Sequence, residues 1–207
     1  MQRTSKGVEG MTDERLERQI AFVVEIDKLK SVHRQTILID RTRKENSAEH
    51  SWHIAVLAIL LSEYARKSDV DILRVIKMAL IHDLVEIDAG DTYCYDEKGT
   101  LDQREREERA AGRIFGLLPA DQEEELLGLW REFERGETPE AQFAAALDRV
   151  QPIINNYNTG GEMWKLNGIQ SNQVRDRNRA VQKGAPLLWD YTSHLINDAV
   201  KRGMLQE

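Results

Sequence analysis

Apolar positions recur at three- and four-residue spacing along most of the chain, which is the period of an α-helix. Residues 1–11 lack that period and read as a flexible N-terminal tail. Thr12 then stands as a helix cap, with Asp13 and Glu14 in a favourable first turn and Leu16, Ile20, Val23 and Val24 as the following stripe. The segment "SVHRQTILIDRTRKENSAEH" breaks the period, and within it only "TILI" at 36–39 suggests a short strand. Asn46 with Glu49 three residues later forms a capping box, with Ser47 as the alternative cap, for a helix running to about Arg66. Ile54, Val56, Leu57, Ile59, Leu60 and Leu61 make that helix apolar on most sides, which predicts a place at the centre of a bundle.

A third apolar helix is predicted from about Asp71 to Ile87, ended by Gly90. Residues 100–117 predict a charged, exposed helix, and Pro119 opens another with Leu126, Leu129, Trp130 and Phe133 inward. Thr138 and Pro139 read as cap and first helical residue, and Pro152 should bend or interrupt the helix that follows. A turn-rich stretch containing Trp164, read as core, leads to two more helices. The last starts near Pro186, with Leu188, Tyr191 and Leu195 inward. The pattern as a whole predicts an all-α fold: a single-domain helical bundle over residues 12–207, with six to eight helices.

Composition narrows the class. The apolar fraction of 41% supports a real core, and no apolar run approaches the ~18 residues of a membrane span. The start, "MQRTSKGVEGMTDE", lacks the apolar centre of a secretory signal. A net charge of −7 argues against a nucleic-acid polymer as partner but leaves room for a nucleotide pocket. The single cysteine, Cys94, reads as an ordinary thiol and points to a reducing, cytoplasmic compartment.

The stretch "ALIHDLVEIDAGDT" departs from this bland picture, because His82, Asp83 and Glu86 sit among residues built for burial. A buried carboxylate is costly unless something of opposite charge meets it. His50, His82, Asp83 and Asp148 are metal-ligand types on apolar helices. Adjacent helical residues point about 100° apart, so His82 and Asp83 converge on an ion only if it sits over the wedge between them. Two imidazoles and two carboxylates form a mixed set suited to Mn, Fe, Co, Ni or Zn, with Mg also considered. Plainer roles fit the remaining histidines: His53 and His194 as satisfied core groups, His33 as a solvated one.

"AEHSW", "LIHDLVEIDAGDT" and "ALDRVQPI" resemble, in order, the H…HD…D motifs of the HD superfamily of metal-dependent phosphohydrolases. "ENSAEH", the "HDLVE…GD" block and the charged helix after it resemble the 5′-deoxynucleotidase branch and its eukaryotic relatives, over roughly residues 20–155. The resemblance implies an HD-type helical fold with His50, His82, Asp83 and Asp148 as metal ligands. It implies Asp83 and Glu86 as catalytic groups, and a second cation site from Glu86, Asp91 and the carbonyl of Thr92. That branch also has an arginine upstream of the first ligand that orients phosphate. Counting back from His50 places Gln35 there, with Arg34 one residue earlier as the candidate, and Arg41, Arg43 and Lys44 as weaker ones. Asp88 has no part in this scheme and reads as solvated.

The implied activity is removal of phosphate from small nucleotides, chiefly deoxyribonucleoside 5′-monophosphates, by metal-activated water. The implied assembly is a homodimer. Two alternatives stand beside it: an HD phosphohydrolase acting on triphosphates, cyclic dinucleotides or alarmones, and a metal-stabilised nucleotide-binding module without turnover. The Gly-Tyr-Pro motif of the cyclic-dinucleotide branch is absent, and Ile87 follows Glu86 where alarmone hydrolases carry a second acid.

Overall fold

The computed structural model describes residues 6–95 and 101–207. In chain order its elements are α1 (Lys6–Ile26), β1 (His33–Ile37), β2 (Lys44–Asn46), α2 (Ser47–Leu60), α3 (Ile72–Ile81), α4 (Glu86–Ala89), α5 (Gln103–Phe115) and α6 (Ala120–Arg135). They continue with α7 (Pro139–Asn158), α8 (Glu162–Leu166), α9 (Ser171–Asn178), α10 (Val181–Gly184) and α11 (Pro186–Lys201).

The caps explain why the two central helices begin where they do. Asn46 Oδ1 accepts from the Glu49 amide at 2.9 Å, while Glu49 Oε2 accepts from the Asn46 amide at 3.2 Å, so α2 starts with the reciprocal capping box. Thr138 Oγ1 accepts from the Ala141 amide at 3.2 Å and Pro139 supplies the first turn of α7. Around α2, α3 and α7 the main core closes on Ile54, Ala58, Val75, Met78, Phe143 and Leu147, with Ile114 and Phe115 from α5. A second apolar cluster gathers Ile153, Trp164, Val174, Ile196 and Leu205. Because α7 contributes Leu147 to one cluster and Ile153 to the other, a single helix ties both halves together. Gly184 permits the closest approach to it: a Cβ there would lie 2.0 Å from the Gln142 carbonyl oxygen.

Several expectations change. α1 begins at Lys6, so Thr12 lies within the helix and is no cap; residues 1–5 of the expected tail lie outside the described residues. Leu16, Ile20, Val23 and Val24 are 53–66% exposed. α1 docks instead by its polar side: Arg15 pairs with Asp121 at 2.7 Å, and Arg18 donates to the carbonyls of Gly116 and Leu117 just past the end of α5. Burying Phe22 completes the contact. The strand forms at His33–Ile37 and not at 36–39, pairing antiparallel with β2 in registers His33–Asn46 and Ile37–Lys44, with an irregularity between. α2 is not buried all round, since Trp52, Ile59 and Leu60 face out. Tyr191 and His194 on α11 are also exposed, with His194 Nδ1 bonded to the Asp190 carbonyl. Pro152 does not end α7, which runs on to Asn158. Among the described residues no helix is long and apolar enough to cross a membrane.

The tie between α3, α6 and the start of α7 is ionic. Arg74 Nε lies 3.1 Å from Glu132 Oε2, and Thr138 donates to Glu132 Oε1 at 2.7 Å. Glu132 is only 7% exposed, and the Arg74 hydrogen bonds hold its carboxyl below the usual carboxylate range despite burial, with Thr138 assisting. A depressed folded-state pKa stabilises the fold above the unfolded-state value and loses that contribution as pH falls through the folded one. Glu132→Gln is therefore expected to cost about 1 kcal/mol at pH 7, allowing for screening on the exposed side of Arg74. That corresponds to a thermal midpoint lowered by about 2–4 °C. The difference should shrink as pH is lowered through the carboxylate range; a pH-independent difference in thermal melts would rule the interaction out as its source.

Candidate metal centre

α3 does not continue through His82. It tightens into a 3-10 turn, His82–Val85, before α4 resumes and Gly90, at φ +76°, ends the segment. The tighter turn spreads successive side chains further apart than an α-helix does. Within it, the backbone carbonyl of Ala79 accepts from His82 Nδ1 at 2.9 Å, leaving Nε2 buried and turned inward. That Nε2 lies 3.0 Å from Asp83 Oδ1 and 3.8 Å from Asp148 Oδ1.

His50, fully buried on α2, repeats the arrangement. Its Nδ1 bonds Gln151 Oε1 at 3.0 Å, so Nε2 faces Asp148 Oδ1 at 2.9 Å and Asp83 Oδ2 at 4.0 Å. Ligand atoms of His50, His82 and Asp83 all lie within 4.8 Å of one another. Asp148 reaches the same point from α7, and Pro152, which has no N–H, leaves the Asp148 backbone carbonyl without its helical donor. Two imidazoles fixed with Nε2 inward beside two carboxylates form an N/O donor set that fits a divalent transition metal.

The electrostatics agree. Asp83 is held at about 2: burial opposes ionisation, but His82 and Arg34 outweigh it. Asp148 is likewise pushed well below the carboxylate range, against burial, by its bonds to His50 and His82. His82 is raised well above the imidazole range because Asp83 and Asp148 overcome its burial. The carboxylates therefore stay ionised at this point and favour positive charge, which a divalent cation would supply.

The remaining residues expected from the sequence share one cavity of about 540 Å³, lined by Arg34, His82, Asp83, Glu86, Asp91, Thr92 and Asp148. Arg34, brought in by β1, donates through Nη1 to Asp83 Oδ2 at 2.8 Å and lies 3.9 Å from both Glu86 Oε1 and Asp91 Oδ1. Gln35 instead accepts from Lys44 at 2.9 Å. Arg43 pairs with Glu49, and neither Arg41, Arg43 nor Lys44 lines the cavity. Ser47 donates to Glu86 Oε2 at 2.6 Å, and burial together with Asp83 and Asp91 raises the Glu86 carboxyl well above its usual range. Thr92 Oγ1 accepts from Arg106 at 3.3 Å. Asp88 is not simply solvated: Arg113 joins it to Glu25.

Sequence reasoning missed the groups behind these. Gln151 bonds His50 through its oxygen and donates through Nε2 to Glu45 Oε1 at 2.7 Å; the nitrogen also lies 3.2 Å from His53 Nδ1. Glu45 is 2% exposed, and burial raises its carboxyl. The signal for Gln151 was present, since it stands three residues after Asp148 and so shares that part of the helix surface. Glu45 carried no such signal, because its burial depends on the two-stranded ribbon.

The HD domain family matches residues 26–189 of the chain. The human protein named 5′-deoxynucleotidase HDDC2 is 33% identical over 112 residues, covering 54% of this chain and 53% of the human one. Its mouse counterpart is 32% identical over 136 residues, covering 65% and 66%. The alignments to these relatives thus span about half to two thirds of their length. A crystal structure from Magnetospirillum magnetotacticum, described as a predicted metal-dependent phosphohydrolase, is 50% identical and superposes with a TM-score of 0.91 over 95% of this chain and 98% of that one. A conserved hypothetical protein from Pyrococcus furiosus, 23% identical, shares the fold at a TM-score of 0.62 over 88% of this chain and 99% of that one.

Gln151→Leu keeps the bulk of the side chain but removes the acceptor that orients His50. Divalent-metal affinity, measured by isothermal titration, should fall by about 10–100-fold. An unchanged affinity in a folded variant would show that His50 is held by other means.

Proposed function

The chain belongs to the HD-domain family, and from that premise we propose that it is a metal-dependent phosphohydrolase removing the 5′-phosphate from (deoxy)ribonucleoside monophosphates. The observation that carries this reading is the pair of imidazoles with Nε2 turned inward onto Asp83 and Asp148, two carboxylates that line the cavity. The cavity's volume of about 540 Å³ suits a small-molecule ligand. The names of the curated relatives support nucleotides as that ligand.

His50, His82, Asp83 and Asp148 hold one divalent ion in this proposal. A bound ion supplies Lewis acidity toward the phosphoryl group and makes water more acidic. Asp83, ionised at any neutral pH, accepts a hydrogen bond from the attacking water and orients it. Glu86, fixed by Ser47, takes the proton that water loses as its oxygen bonds phosphorus. The same carboxyl passes that proton to O5′ of the nucleoside as the P–O5′ bond breaks, so nucleoside and inorganic phosphate leave with the charge balanced. Arg34 supplies the positive charge facing Glu86 and Asp91, the position that the family resemblance gives to a second ion. The Asp83–Asp148 unit and Glu86 are read as belonging to one helical domain over residues 12–207.

Elemental analysis should find about one transition metal per chain, and chelation should abolish phosphate release, with Mn or Co restoring it. Glu86→Gln is expected to lower kcat by about 10²–10⁴ with metal content retained. Asp83→Ala should lose both metal and turnover across mono-, di- and triphosphate nucleotides. Wild-type activity in metal-free Asp83→Ala protein would overturn the proposal, and preference for triphosphates would move the substrate to another class.

A further inference from the structure

Arg34 is committed to three carboxylates, but other cations of the same cavity are not. Arg149 on α7, Arg177 on α9 and Lys183 on α10 all line it. Among the described residues none of these three forms an ion pair with a carboxylate. Elsewhere in the chain, Arg15, Arg43, Arg74, Arg113 and Arg131 are each paired with an acid.

Arg149 is the most telling. It is half-buried; its Nη1 donates to the Ala145 carbonyl at 2.9 Å, and its Nε is buried with no partner. Arg177 lines the same cavity, so a second guanidinium shares this space. Two guanidiniums placed near one another in a partly dry cavity repel, and an anion between them removes that cost. The placement along α7 fits such an anion. Ala145, Asp148, Arg149, Pro152 and Asn156 all line the cavity, so one face of the helix carries the proposed metal ligand and the unpaired cation side by side.

We propose that Arg149, Arg177 and Lys183 form a phosphate-binding wall, and that they, rather than Arg34, receive the dianionic phosphate of substrate and product. The proposal rests on the phosphomonoester reading above for the identity of that phosphate, but the wall itself is a property of the cavity. Arg34 offsets part of the charge of the carboxylate cluster, the ion and its ligands lie beside it, and the wall holds the phosphoryl oxygens. Guanidinium forks suit this task because they offer parallel N–H donors to phosphate oxygens.

The test is binding of inorganic phosphate to the full metal-loaded chain, by isothermal titration, in Arg149→Met, Arg177→Met and Lys183→Met variants. Arg177 and Lys183 have exposed side chains, so their variants are expected to fold even if Arg149→Met does not. Each arginine variant should bind phosphate at least about tenfold more weakly, with metal stoichiometry unchanged and wild-type affinity falling as salt rises. In turnover assays KM for deoxynucleoside monophosphates should rise more than kcat falls. Phosphate affinity and KM that are unchanged in the Arg177 and Lys183 variants would overturn the wall. Arginine-dependent phosphate binding in a chain that hydrolyses no nucleotide would uphold the wall and remove the nucleotidase reading instead.

Discussion

Charge placed inside a protein must be matched where it stands, and this fold is arranged around that requirement. Asp83, Asp148 and Glu86 lie where the apolar sides of α2, the 3-10 turn after α3, and α7 converge. Each carboxylate has a named counterpart: His82 and Arg34 for Asp83, His50 for Asp148, Ser47 and Arg34 for Glu86. Apart from His82, which neighbours Asp83, these partners come from elements far apart in sequence, so the cluster is balanced only when the bundle is assembled. The ribbon of β1 and β2 is short, but it delivers Arg34 to one side of the cluster and Glu45 to the other, which helices alone do not accomplish here.

The second ring of contacts does the orienting. Glu45, Gln151 and His50 form a buried chain in which each member fixes the next, and His82 is held in the same tautomer by a backbone carbonyl. An imidazole has two nitrogens, and only one can face an ion. Bonding Nδ1 elsewhere makes that choice structural in both histidines.

Helical periodicity and local caps were legible in the sequence because they are short-range. Asn46 with Glu49, Thr138 with Pro139, and Gly90 act within a few residues, and they stand where the pattern put them. The convergence of His50, His82, Asp83 and Asp148 was legible through ordered motifs, not through spacing. What escaped was decided by tertiary context. Apolar spacing marked α1 as a helix but not which side it docks; Arg18 binding the carbonyls after α5 settles that, and Leu16 and Val24 face out. Pro152 did not break α7, because packing on two apolar clusters holds the helix through the missing hydrogen bond. Arg149 carried no sequence signal, because the absence of an acid paired with it and the unpartnered state of its Nε are decided by the elements packed around α7.

The continuity of α7 through Pro152 has a further consequence. Asp148, Arg149, Gln151 and Pro152 address four different parts of the molecule from a single uninterrupted helix: the acidic cluster, the open cavity, the back of His50 and the carbonyl of Asp148 itself. Their angular relation is set by the 3.6-residue turn and nothing else. This stretch consequently behaves as an indexed shaft. Substitutions alter one face at a time, whereas the gain or loss of one residue rotates every later face by about 100° and breaks all these alignments together. Length is therefore under tighter physical constraint here than composition, and variation in the chain's size has to be accommodated in the connections, not in α7.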